Sequence, residues 1–270
     1  MNTKIIGIIG CGVIGSALGE YAKKELNREV DRVILYDTVP HRAEALAEKL
    51  GSAEIAASVA EVADEADLIL EAAAPVAVPE VLRMAVEKKK DAMIMSVGGL
   101  LGREDLLQEA RESGIKVILP SGAIAGVDAL KAAKISGIES VTLTTRKAPR
   151  SVKGAPYLAE KGIDAEAITD ETVIFEGNAT DAMKGFPQNI NVAALLSIAG
   201  IGPEKTRVKI IVSPAYTRNT HEIEVKSKAG VMTLRVENVP SPMNPKTSYL
   251  AVLSAIAALR SYFDPIRLGT

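Results

Sequence analysis

Hydrophobic residues in the first 120 positions form short unbroken runs that alternate with longer amphipathic stretches. The runs predict strands buried on both faces of a sheet, and the stretches between them predict helices. Five strands are predicted, at residues 4–9, 31–37, 66–73, 91–97 and 115–122. Strands that alternate with helices of this length indicate βαβ units, and therefore an α/β fold with a doubly wound parallel sheet of the Rossmann type.

After about residue 120 the pattern changes to short β-rich runs, several with period-two alternation and hairpin-like spacing. One helical stretch at 179–200 interrupts them, and Pro187 predicts a break within it. This half is predicted to be an α+β domain with a mostly antiparallel sheet and helices on one face. An apolar helix predicted at 247–263 could pack back on the first domain.

The predicted organisation is therefore a dinucleotide-binding Rossmann domain and a substrate domain. The first comprises residues 1–120 with 247–270, and the second comprises residues 121–246. The ligand cleft is expected where the two domains meet, because ligand sites are common at such boundaries.

The composition argues against several functional classes but does not indicate a particular reaction. A net charge of −2 over 270 residues gives no electrostatic reason to expect a nucleic-acid partner. The single cysteine, Cys11, excludes an internal disulfide and fits a reducing compartment. No run approaches the roughly 18 uninterrupted apolar residues of a membrane span. We expect a cytoplasmic protein without a membrane partner, and we predict no metal site.

The segment "GCGVIG", residues 10–15, joins the first strand directly to a helix. Gly10 permits a tight turn, Gly12 lets the backbone approach a pyrophosphate, and Gly15 lets helix and strand pack closely. The helix start at Val13 and Ile14 offers free N–H groups and the positive end of the helix dipole. This context predicts a dinucleotide site.

The second predicted strand ends in an acid, Asp37, whose carboxylate can accept hydrogen bonds from the adenosine ribose hydroxyls of NAD. Arg42 follows closely and could contact a 2′-phosphate, so NADP remains open as a cofactor beside NAD. The small residues after the third strand, including Ala73, leave room at the carboxyl edge of the sheet for the nicotinamide ribose.

Three motifs of the second half carry a more specific resemblance than the glycine segment. They are "PSGAIAG" at 120–126, "FPQNINVAA" at 186–194 and "THEIEV" at 220–225. Together with the Rossmann start, they resemble the archaeal and bacterial L-aspartate dehydrogenases over essentially the whole chain. The resemblance implies NAD(P)-dependent oxidation of L-aspartate to iminosuccinate, which hydrolyses to oxaloacetate and ammonia and can enter de novo NAD synthesis.

The resemblance also implies roles for particular residues. His221 corresponds to the catalytic histidine, while Ala123 and Asn189 correspond to residues that contact NAD. Independently, a histidine with an ordinary pKa of about 6.5 suits proton transfer near neutral pH. Asn189 carries both a donor and an acceptor, which suits the nicotinamide amide or its ribose.

The two carboxylates of aspartate require cationic partners. The candidates are Arg146, Lys147, Arg150, Lys153, Lys184 and Arg218. Lys184 is the first choice because it lies close to Asn189 in the sequence.

Three alternatives stay open at this stage. The chain could be a dihydrodipicolinate-reductase-like or homoserine-dehydrogenase-like enzyme on the same two-domain plan, since fold alone does not fix function. It could also be a sensor that binds NAD(P) without turnover. A homodimer is expected, because a two-domain enzyme with an exposed sheet face often pairs through it.

Overall fold

A computed structural model of the chain describes residues 3–187 and 190–269. The chain divides into two compact units. One comprises Met1–Pro120 with Val252–Arg267, and the other comprises Ser121–Ala251 with Leu268–Thr270. Among the described residues, no helix is long and apolar enough to cross a membrane.

The first unit contains a six-stranded sheet in which every strand pair is parallel. Its strands are β1 Lys4–Ile9, β2 Val30–Tyr36, β3 Glu54–Ile55, β4 Leu68–Glu71, β5 Asp91–Ile94 and β6 Val117–Ile118. Their order is β3-β2-β1-β4-β5-β6, which is the order of a dinucleotide-binding Rossmann sheet. The predicted fold class of this half is confirmed.

The helices of the first unit cover an aliphatic core. They are α1 Val13–Glu25, α2 Pro40–Leu50, α3 Val59–Glu65, α4 Val78–Lys88 and α5 Glu104–Ser113. Ile6, Ile8 and Leu18 are completely buried. Ala255 and Leu259 of the last helix, which spans Tyr249–Phe263, belong to the same core. Each large aliphatic side chain buried in this way contributes about 1.5–3 kcal/mol.

The second unit contains a five-stranded sheet in the order β11-β10-β7-β9-β8. Its strands are β7 Ile138–Lys147, β8 Thr172–Asn178, β9 Thr206–Val212, β10 Asn219–Ser227 and β11 Gly230–Asn238. All neighbours are antiparallel except β7 and β9, which run parallel. A short hairpin, β12 Pro240–Ser241 and β13 Asn244–Ser248, follows. The mostly antiparallel sheet is confirmed.

The two faces of this sheet differ sharply. Val141, Leu143, Ile223 and Val225 are buried on the inner face, beneath the helices. These helices are α6 Val127–Ser136, α7 Pro156–Lys161, α8 Ala179–Gly185 and α9 Asn191–Ala199. The outward face carries charged side chains in alternating sign, in which Glu222 pairs with Arg146 and Arg235. The helical stretch predicted at 179–200 is interrupted around Pro187, as its sequence indicates.

Several elements differ from the sequence-based expectation. The helix α6 and the short strand β3 were not predicted, since neither has a strong period of its own. The strands β5 and β6 are shorter than the runs that predicted them. The apolar run at 91–97 continues past the strand because Met95 and Val97 stay buried in the loop that follows. The length of a hydrophobic run therefore indicates which residues are buried, but not where strand pairing ends.

Candidate active site

The glycine segment between β1 and α1 has one closed side and one open side. Gly10 has φ +94°, and a Cβ there would lie 2.6 Å from the backbone of Ala72 and Ala73. A Cβ on Gly15 would lie 1.9 Å from the carbonyl oxygen of Gly10. A Cβ on Gly12, by contrast, would meet nothing within 4 Å. The backbone at Gly12 is thus open to a ligand.

The start of α1 fits the phosphates of a dinucleotide. Gly12 is its N-cap and supplies no side-chain cap, and the first turn contains no acidic residue. The first N–H groups of a helix have no intrahelical acceptor and carry the positive end of the helix dipole. Val13 and Ile14 lie in this first turn, next to the open side of Gly12. The residues present therefore fit a bound pyrophosphate.

Asp37 links the end of β2 to the glycine segment. Its Oδ2 accepts a hydrogen bond from the Cys11 N–H at 2.8 Å, and its Oδ1 accepts one from the Val39 N–H at 2.8 Å. The half-buried carboxylate keeps further lone pairs, so ribose hydroxyls could bind beside the loop. Arg42 is exposed at the start of α2.

A buried carboxylate braces the loops at the carboxyl edge of this sheet. Glu71 accepts hydrogen bonds from the Ala73 N–H and the Ser96 N–H, both at 2.9 Å. Burial raises the pKa of Glu71, although these hydrogen bonds oppose the shift. Glu71 thereby fixes the loop that carries the exposed Ala73. The signal for Glu71 in the sequence is an acidic residue at the end of an apolar run.

His221 lies on the inner face of β10, opposite Thr145 of β7 and Val236 of β11. Only 7% of its surface is exposed. Its Nδ1 lies 3.0 Å from the Thr145 hydroxyl oxygen, so one ring nitrogen is held by β7. The strand pairing therefore fixes the ring orientation.

The surroundings of His221 alter its titration. Burial, and then the positive charge of Lys147, lower the pKa of His221 to about 3. The ordinary value near 6.5 applies to a solvated ring, so burial moves this imidazole away from titration near neutral pH. The ring is neutral at physiological pH. A bound dicarboxylate would counter the charge of Lys147 and move the pKa back upward.

A cavity of about 660 Å³ opens in the second unit beyond the end of β7. Four of its lining residues carry positive side chains, namely Lys147, Arg150, Lys153 and Arg218. No acidic residue lines it among the described part of the chain. Such a cavity favours an anion with more than one charge.

Lys184, the first choice for a carboxylate partner, is not brought to this cavity. It lies on α8 with 72% of its side chain exposed and pairs with Asp181 at 3.8 Å. Lys184 was chosen for its sequence proximity to Asn189, and that choice stays a prediction. Asn189 itself lies outside the described residues.

The backbone of Ala123 is hydrogen-bonded to the end of β11. Its carbonyl oxygen accepts a hydrogen bond from the Asn238 side-chain amide at 3.0 Å. Asn238 lines the cavity, and its Oδ1 also accepts a short hydrogen bond from the Ser248 hydroxyl. The segment containing Ala123 is thus held beside the rim of the cavity.

Comparison with known proteins supplies the family. Residues 128–262 match the model of the aspartate dehydrogenase C-terminal domain, and residues 10–120 match the NAD-binding domain of homoserine dehydrogenase. The L-aspartate dehydrogenase of Methanococcoides burtonii is 47% identical over 98% of this chain and 99% of its own length. The chain belongs to the aspartate dehydrogenase family. The predicted resemblance is confirmed.

Other aspartate dehydrogenases show the same agreement. The L-aspartate dehydrogenase of Nitrosopumilus maritimus is 44% identical over 99% of this chain and 100% of its own length. The crystal structure of aspartate dehydrogenase from Thermotoga maritima superposes with a TM-score of 0.79 at 28% identity, covering 99% of this chain and 100% of that one. A homoserine dehydrogenase from Thiobacillus denitrificans, at 15% identity and a TM-score of 0.60, shares the fold alone.

Proposed function

We propose that this protein is an NAD(P)-dependent L-aspartate dehydrogenase. It oxidises the α-carbon of L-aspartate to iminosuccinate, which then yields oxaloacetate and ammonia and can feed de novo NAD synthesis. The observation that carries this proposal is a cavity lined by four cationic side chains, in a chain of this family. One of the four, Lys147, is close enough to the buried His221 for its charge to lower the pKa of that histidine. The alternatives named from the sequence are not favoured by the comparisons.

The first unit binds the cofactor, which accepts a hydride from the substrate when bound. Gly10, Gly12 and Gly15 shape the loop, and Val13 and Ile14 present N–H groups to the phosphates. Asp37 binds the adenosine ribose. Ala73, Ala123 and Asn189 are assigned to the nicotinamide end on the strength of the resemblance.

The substrate carboxylates are assigned to Arg150 and Arg218 rather than to Lys184. Both arginines are exposed side chains that line the cavity, and neither needs to leave an ion pair described elsewhere in the structure. Lys153, in contrast, pairs with Glu166 at 2.6 Å. Guanidinium groups bind carboxylates in a bidentate manner, which suits recognition of a dicarboxylate over a monocarboxylate.

His221 is assigned the role of a proton-handling residue at the reacting carbon–nitrogen bond. Thr145 holds its Nδ1, so Nε2 is the nitrogen available to substrate or to the water that hydrolyses the imine. Because the ring is neutral before substrate binds, it can accept a proton from such a water.

The activity is tested by mixing the protein with NAD⁺ or NADP⁺ and L-aspartate and following the absorbance of the reduced nicotinamide. Homoserine, L-glutamate and L-alanine serve as competing substrates. Turnover of L-aspartate at least about 100-fold above homoserine and L-alanine is expected, since the unmatched cations of the cavity penalise a monocarboxylate. Cofactor binding without turnover of any amino acid would instead support the sensor.

The role of His221 is tested by His221→Ala. Turnover is expected to fall by about 10²–10⁴-fold, the usual contribution of a positioned proton-transfer group. Binding of reduced cofactor, followed by its fluorescence, should stay unchanged. A variant that keeps wild-type turnover would remove the histidine from the mechanism.

We also propose that the enzyme acts in the cytoplasm as a homodimer that pairs through the outward face of the five-stranded sheet. The central strand β7 presents Thr142 and Thr144 on that face, and both are half-buried. The surrounding charges alternate in sign, so a second copy could pair with them.

A further inference from the structure

Lys147 is the last residue of β7 and lies on its inner face. Residues two apart on a strand share a face, so Lys147 follows Thr145 toward the helices. Thr145 is the residue that contacts the His221 ring. Only 6% of Lys147 is exposed, which is rare for a lysine. The amine is therefore held close to the proposed catalytic histidine.

The amine borders two different spaces. One is the cationic cavity, and the other is a small space whose lining includes Val152, Phe186 and Ile190. A lysine that only bound a carboxylate would not need this apolar wall. The wall instead disfavours the charged amine, and burial lowers the pKa of Lys147 to about 8.

The groups that face Lys147 leave it as the one that titrates in the working range. On β10 it faces His221, whose pKa is lowered to about 3. On β9 its register partner is the apolar Val212. Charged or titratable residues that line the same cavity are Arg150, Lys153, Tyr216 and Arg218. The arginines stay charged throughout, and the pKa of Tyr216 is raised.

We propose that Lys147 is a catalytic residue that accepts the proton of the substrate α-ammonium group, an inference that rests on the proposed function. In this step an N–H bond of the substrate breaks and its proton bonds to the lone pair of Nζ. No electrons are transferred. The substrate nitrogen regains a lone pair, which then forms the C=N bond as the α-hydrogen leaves as hydride to the nicotinamide. His221 is left for the later step with water.

The pH dependence of wild-type turnover tests the proposal without any substitution. The active form requires neutral Lys147, so kcat should rise with pH, reach half of its plateau near pH 8, and stand at about a tenth of that plateau at pH 7. A kcat independent of pH between 6 and 9 would overturn the proposal.

Three substitutions of Lys147 distinguish a role in proton transfer from a role as a positive charge. Lys147→Met removes the amine, and Lys147→Arg keeps the charge in a group that does not lose its proton. Both should lower kcat by about 100-fold or more, whereas Lys205→Met, at an exposed turn, is the matched control. Lys147→Ala should regain turnover when methylamine or ethylamine is added.

The results separate failure of the proposed role of Lys147 from failure of the proposed function. If wild type fails to oxidise L-aspartate, the function itself is wrong. If wild type is active and Lys147→Arg keeps kcat within tenfold, Lys147 supplies charge only and the proposal is overturned. Absence of amine rescue in a folded, cofactor-binding Lys147→Ala variant would overturn it as well.

Discussion

Two neighbouring basic side chains are buried on one face of a strand pair in the second unit. His221 and Lys147 are both more than nine-tenths buried, and the charge of Lys147 lowers the pKa of His221. Alternation along β7, from Val141 through Leu143 and Thr145, places Lys147 on the buried face. That period-two signal was present in the sequence and could have separated Lys147 from the exposed cations around it.

The lowered pKa of His221 makes the free energy of unfolding depend on pH in the acidic range. Its pKa is 6.5 when unfolded and about 3 when folded, so between these values the unfolded chain binds a proton that the folded chain does not. The free energy of unfolding therefore falls as pH falls. From pH 7 to pH 5 the loss due to His221 is about 2 kcal/mol.

Urea unfolding at the two pH values measures this loss. His221→Gln lacks the titrating ring, so its stability should drop by about 2 kcal/mol less than that of wild type over the same interval. Comparing the two proteins cancels the contributions of other groups, including Glu71. Equal drops for variant and wild type would mean that the ring titrates normally in the folded state.

At the scale of elements, the turn from β1 to α1 contains glycines with two different roles, close packing and access for a ligand. Gly15 is required by packing, since its Cβ would overlap the Gly10 carbonyl oxygen, whereas Gly12 faces open space. The glycine spacing alone could not assign these roles individually, because the distance to neighbouring backbone is a property of the folded turn.

Gly15→Ala should therefore lower stability, whereas Gly12→Ala should weaken cofactor binding. Gly15→Ala is expected to cost about 3 kcal/mol of unfolding free energy, as overpacking does. Gly12→Ala should stay within about 1 kcal/mol of wild type but weaken binding of reduced cofactor about tenfold, because the methyl group occupies the phosphate approach. Thermal unfolding and fluorescence titration measure the two quantities, and equal losses of stability would refute the distinction.

The loops after β7 and before β10 carry the cations assigned to the substrate. Arg150→Met and Arg218→Met should each raise the KM for L-aspartate by about 10–100-fold, since each removes hydrogen bonds to a charged group. Lys184→Met tests the competing assignment, and its KM should stay within twofold. A larger effect at Lys184 than at either arginine would restore the residue chosen from sequence.

At the scale of the whole molecule, the proposed pairing concerns the outward face of the five-stranded sheet. Sedimentation should give twice the chain mass of 28.5 kDa. Thr144→Arg places a long charged side chain at the centre of that face and should yield monomers. Ala159→Arg, on the exposed surface of α7, is the control and should stay dimeric. A monomeric wild type would refute the pairing.

The sequence by itself determined the fold class, the family and the cofactor class. Buried parallel strands and a glycine turn are local patterns, and the three second-half motifs are specific enough to identify relatives. Only the tertiary structure decided which cations line the cavity and how His221 titrates. Burial and the distance between charges depend on strands far apart in sequence, as with Thr145 and His221, so no local pattern of residues contains them.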